Sequence, residues 1–114
     1  MTVEIRIREL QGTWVVRAGG AVLGESSSAL ELSEGDLPPV IYFPRSDLAM
    51  AFLEPTDHRT TCPHKGDASY FSIELKSFTL ENAAWSYESP KDEVSRIAGH
   101  VAFYPRDEIA VEQL

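Results

Sequence analysis

Val3, Ile5 and Ile7 alternate with Glu4, Arg6 and Arg8 near the start of the chain, and the same two-residue period returns through much of its length. Successive side chains of a strand point to opposite faces, so this period is that of a half-buried β-strand. Glycine or proline breaks the pattern at short intervals, and no stretch keeps a helical period beyond a turn or two. Such a chain buries its apolar residues by laying short strands against one another.

In order, strands are expected at Val3–Arg8, Trp14–Arg17, Ala21–Leu23 and Val40–Phe43, with Ala29–Leu32 a short strand or a turn of helix. More follow at His58–Cys62, Ala68–Leu75, Phe78–Leu80, Ala83–Tyr87, His100–Tyr104 and Ile109–Val111. Gly19-Gly20 between apolar runs is a hairpin signal. Gly35-Asp36-Leu37-Pro38-Pro39 is a break that forces an extended approach to Val40. Pro55-Thr56-Asp57 reads as a turn, and Leu48, Met50 and Phe52 as a short helix running into a strand. Asp92–Ile97 is the best helical piece, with Val94 and Ile97 on one side. The expectation is a single domain over residues 1–114: all-β, a mainly antiparallel sandwich or barrel with one short helix.

With 114 residues the chain is long enough for one core, and 43% hydrophobic content is too much for a disordered chain. The longest apolar runs are of the length of Val40-Ile41-Tyr42-Phe43, so no membrane span is expected. A single cysteine excludes an internal disulfide and fits a reducing cytoplasm. The formal charge of -8 disfavours phosphate backbones and anionic lipid as partners.

Several motifs in order resemble a bacterial family, domain-of-unknown-function family 427 (DUF427). They are Tyr42-Phe43-Pro44-Arg45 with Asp47; Cys62-Pro63-His64-Lys65-Gly66 with Ala68-Ser69-Tyr70; Ala84-Trp85-Ser86-Tyr87 with Pro90; and Gly99-His100-Val101-Ala102-Phe103-Tyr104. The resemblance covers nearly the whole chain and implies a β-tent-like fold. The β-tent group includes zinc-dependent methionine sulfoxide reductases and the thalidomide-binding domain of cereblon. Its familiar members hold zinc with two Cys-x-x-Cys pairs. One cysteine cannot supply that site, so no metal and no cofactor is expected. The family has also carried a nucleotidyltransferase label. That chemistry calls for Gly-Ser followed by paired metal-binding aspartates, a pattern missing from this sequence.

The densest chemistry lies in Cys62-Pro63-His64-Lys65-Gly66. Cys62 is the candidate nucleophile, with His64 and Lys65 placed to favour a thiolate; its structural reading is a small residue at a strand end. Lys65 offers a point charge to a carboxylate or phosphate, or is a solvated turn lysine. Arg45 offers a planar fork to the same groups, or pairs with Asp47 or another acid within the fold. Trp85 and Tyr87, two apart, share a strand face. Tyr42 and Tyr70 can join them from neighbouring strands, and tyrosine rather than phenylalanine means each ring tip reaches water, a ligand or a buried acceptor. His100 is read as structural. The leading expectation is therefore a pocket for a small, flat, anionic ligand, lined by Tyr42, Arg45, Lys65, Tyr70, Trp85 and Tyr87. Cys62 stands at its edge as the reactive group if there is one. The alternative is a protein-interaction or homodimerisation module without ligand chemistry.

Overall fold

The computed structural model describes residues 4–114. Among these residues ten strands form: β1 (Ile5–Glu9), β2 (Trp14–Ala18), β3 (Ala21–Ser26), β4 (Leu30–Glu34), β5 (Val40–Tyr42), β6 (Leu53–Cys62), β7 (Gly66–Glu74), β8 (Thr79–Tyr87), β9 (Val101–Phe103) and β10 (Ile109–Gln113). They build three antiparallel sheets, ordered β1-β4-β5, β10-β2-β3 and β6-β7-β8-β9. The sheets do not close into a barrel. The expected first strand begins at Val3, which lies outside the described residues. No helix of the described residues is long and apolar enough to cross a membrane.

Local chemistry explains most of the elements. Gly19 and Gly20 have φ of 55° and 85°, the pair of positive values that a two-residue hairpin needs, and Ala18 pairs with Ala21 across them. The helical piece at Asp92–Ile97 forms as a kinked 3-10 segment that buries Val94 and Ile97. Two further 3-10 turns, Arg45–Asp47 and Met50–Phe52, lead into β6. Pro55-Thr56-Asp57 is not a turn. It is a bulge inside β6, where pairing with β7 slips between Pro55 and Arg59. Pro55 has no N–H to give to a ladder, and β6 is an edge strand, where a ladder tolerates interruption. Asn82, with φ of 48°, lies within β8, so that the two runs expected at Phe78–Leu80 and Ala83–Tyr87 are one strand.

Strands β7, β8 and β9 are covered on both faces, while most of β6 is exposed. Phe71 and Ile73 of β7, Ala84 of β8 and Val101 and Phe103 of β9 pack with Val16, Leu23 and Ile109 of the β10-β2-β3 sheet. On the opposite face Ala68, Tyr70, Tyr87 and Ala102 pack with Leu30, Leu32 and Tyr42 of the β1-β4-β5 sheet and with Val94 and Ile97. Strands buried on both faces keep large apolar residues at both parities, which is why β8 and β9 alternate weakly. Phe43 exchanges backbone hydrogen bonds of 2.8 and 2.9 Å with Val101, tying β5 to β9. That link brings the end of β5 beside the aromatic face of β8.

Candidate functional site

The second core opens into a hollow of about 230 Å³. Sheet register builds it. Along β7 and β8 Tyr70 stands opposite Trp85 and Ala68 opposite Tyr87, while β9 sets Ala102 opposite Trp85. Small alanines beside large rings leave space that no neighbouring side chain fills. Tyr42 at the end of β5, Lys65 in the turn before β7, Tyr70, Trp85 and Tyr87 all line the hollow. These are five of the six side chains expected there.

Arg45 is the sixth, and it lies elsewhere. Its Nε donates to the Gly99 carbonyl at 2.7 Å, its Nη2 pairs with Glu88, and its guanidinium lies over the Phe71 ring at 5.4 Å. Pro44 and the 3-10 turn aim the side chain at the Gly99 loop, away from the hollow. Arg45 holds two segments together, and its acidic partner is Glu88. Asp47 instead accepts from the Ser26 hydroxyl at 2.6 Å.

Lys65 is not the solvated turn lysine of the alternative reading: it is only 8% exposed. Its Nζ is ion-paired with Glu34, at the end of β4, and both side chains are largely withdrawn from water. The pair forms one wall of the hollow and carries no net charge. Glu34 has no distinguishing mark in the sequence. Its role depends on the β4–β5 pairing, which sets Leu32 opposite Val40 and brings the end of β4 to the cavity mouth.

The rings form a connected set. Trp85 Nε1 donates to the Tyr42 hydroxyl at 3.3 Å, with the two rings edge to face. The Trp85 ring is 4.4 Å from Tyr104, and Tyr104 stacks on Tyr70 with hydroxyls 3.2 Å apart. Thr60 also bonds the Tyr70 hydroxyl, at 2.9 Å. Tyr104 was not among the expected residues. It shares its strand parity with Ala102, which faces Trp85, so the signal existed once register was known. Burial pushes the Tyr42 hydroxyl up to about 12, against a smaller opposing effect of the Trp85 hydrogen bond. Burial also raises Tyr87 strongly. Tyr104 is pushed up to about 12, first by burial and then by its bond to Tyr70. All three phenols are therefore neutral near pH 7, able both to donate and to accept.

Cys62 is half-buried, unpaired and packed against the same core. Lys65 is committed to Glu34 and His64 is exposed, so the turn gathers no base beside the thiol. His58 is exposed with its ring 4.5 Å from that of Tyr70, and His100 Nδ1 meets the Ala98 carbonyl at 3.2 Å. Among the described residues no group of three or more His, Cys, Asp or Glu side chains is arranged to hold a metal ion.

No curated protein matches this chain. A family model does, over residues 6–113, and its description is "Domain of unknown function (DUF427)". Since that match takes in nearly every residue, the chain belongs to this family.

Proposed function

We propose that the hollow beneath Tyr42, Tyr70, Trp85 and Tyr87 binds a small molecule, and that the ligand's polar part has no net charge. The observation that carries this reading is the Lys65–Glu34 pair at the wall of a cavity otherwise lined by aromatic and aliphatic side chains. Taking two charges out of water costs several kcal/mol per ion, and an ion pair seldom repays that as stability alone. A polar pair facing a cavity is instead suited to orient a ligand that offers both a donor and an acceptor.

The expectation of an anionic ligand rested on two free cations. Arg45 lies outside the hollow, and the charge of Lys65 is balanced by Glu34. A ligand with a lone negative charge would meet the Glu34 carboxylate as well as the Lys65 ammonium. A zwitterion or an amide-like group meets a complementary donor and acceptor. The volume, about 230 Å³, is below the roughly 300–1,000 Å³ of drug-sized sites, so the buried group is compact. The unpaired Cys62 supports a reducing, cytoplasmic setting, and the reading is one of binding rather than turnover.

The test is a thermal-shift screen of small neutral, zwitterionic and anionic molecules. Binding to the native state at a hundredfold excess over Kd stabilises by about 2.7 kcal/mol. Net-neutral molecules should raise the melting temperature of the native chain and leave that of Lys65→Met/Glu34→Leu unchanged. A screen in which no small molecule shifts the native chain sinks the proposal.

A further inference from the structure

An apolar groove of about 490 Å³ adjoins the hollow, and Leu37, Pro38, Val40, Trp85 and Tyr104 belong to the walls of both. Trp85 stands between the two spaces. From there the groove runs past Phe103 and Pro105 to Ile109 and Val111 of β10, and among the described residues no charged side chain lines it. It occupies the gap left where β5, β9 and β10 come together without closing into a barrel. The break after β4 supplies one rim. A turn closed by Leu37 N–H donating to the Glu34 carbonyl at 3.0 Å, followed by two prolines, holds Leu37 at the surface with 63% of its area exposed. Tyr104, 37% exposed, is the other rim. The residue that closes this turn through its carbonyl, Glu34, is also the acid of the ion pair. The polar wall and the apolar rim are therefore set by one short segment.

Resting on the ligand-binding reading above, we infer that the ligand is amphipathic: a compact head of zero net charge in the hollow, continued by an unbranched apolar arm lying in the groove. The polarity of the walls divides at Trp85. On one side a balanced ion pair and tyrosine hydroxyls stand among apolar residues such as Leu32 and Val40; on the other stand only aliphatic, prolyl and aromatic surfaces. The five shared residues make the two spaces neighbours along one path, which a single extended molecule can follow. Burying the arm would cover Leu37 and Tyr104, two of the large apolar side chains the fold leaves in water.

The test is calorimetric titration of the full chain with two homologous series, the straight-chain 2-amino acids and the straight-chain primary amides. Chain length is increased one methylene at a time. Affinity in at least one series should rise about three- to fourfold per methylene, the worth of a buried CH2. Ile41→Thr/Val111→Thr, which changes only half-buried positions that line the groove and not the hollow, should flatten that slope while short members bind as before. Binding that does not depend on chain length in either series overturns the arm but leaves the hollow as a head-group site. Failure of every member of both series to bind overturns the amphipathic ligand, and the thermal-shift screen decides separately whether the hollow binds a small molecule at all. A concentration-dependent dimer that the double variant abolishes, with no chain-length slope, would assign the groove to a second copy of the chain and also overturn the proposal.

Discussion

Glu34 and Lys65 are 31 residues apart in sequence and join in an ion pair across two sheets at the rim of the second core. One ends a strand of the β1-β4-β5 sheet, and the other sits in the turn joining β6 to β7. The turn is itself fixed by Lys65 N–H on the Cys62 carbonyl at 3.2 Å and by Lys91 N–H on the Lys65 carbonyl at 2.9 Å. The ammonium is thus delivered by a segment with little freedom to withdraw it.

Breaking this pair one side at a time should be costly. Lys65→Met leaves a largely buried carboxylate without its partner, and the expected loss is roughly 2–4 kcal/mol in denaturant unfolding. Replacing both, as Lys65→Met/Glu34→Leu, should return stability to within about 1 kcal/mol of the native chain, since an apolar pair of similar volume carries no desolvation cost. A double variant as unstable as the single one would mean that the pair is structural.

Arg45→Met should separate stability from binding. It removes the bonds to the Gly99 carbonyl and to Glu88 and weakens the contact with Phe71. The Glu88 pair is partly exposed and contributes little, so the expected loss is about 1–2 kcal/mol, mostly from the Gly99 carbonyl. Any ligand that shifts the melting temperature of the native chain should shift that of this variant equally.

Alkaline titration should reveal the buried phenols. The hydroxyl of Tyr42 is raised from 10.0 to about 12, so the folded chain holds that proton where the unfolded chain has released it. Its contribution to stability is complete below pH 10 and is lost as the pH rises through 12, with a slope set by the proton difference between the two states. The loss is on the order of 2 kcal/mol. Tyr104 acts in the same direction and by less, because it is 37% exposed and water screens it. Phenolate absorbance of Tyr42, Tyr87 and Tyr104 should therefore appear late and together with unfolding. A smooth titration of these three near pH 10, with the fold retained, would contradict the packing described.

Gly24→Ala should destabilise without touching the hollow. A Cβ at this position would stand 2.5 Å from Leu48 Cδ2 and 2.6 Å from the Asp47 carbonyl oxygen. The backbone oxygen cannot swing aside, so the 3-10 turn must shift from β3. About 1–3 kcal/mol is expected, read as a lower denaturant midpoint with an unchanged slope.

Strand positions, the Gly19-Gly20 hairpin and the all-β class were legible because each depends on local properties: side-chain period, a positive φ, a missing N–H. Pro55-Thr56-Asp57 misled for the same reason, since a bulge and a turn use the same residues and only the neighbouring strand tells them apart. The shared face of Trp85 and Tyr87 could be read from their spacing, and their meeting with Tyr42, Tyr70 and Lys65 could be suspected from residue type. The part played by Glu34, the exclusion of Arg45 and the inclusion of Tyr104 could not.

The sequence by itself determined that this chain makes short strands, where most of them fall, and that tyrosines, a tryptophan and a turn lysine were on hand for a site. Tertiary structure alone decided which charges meet. Register and sheet order place Glu34 beside Lys65 and turn Arg45 toward Gly99 and Glu88. Electrostatic attraction is felt over a few ångströms in space and is indifferent to separation along the chain, so the net charge of the hollow emerges only when the three sheets are assembled.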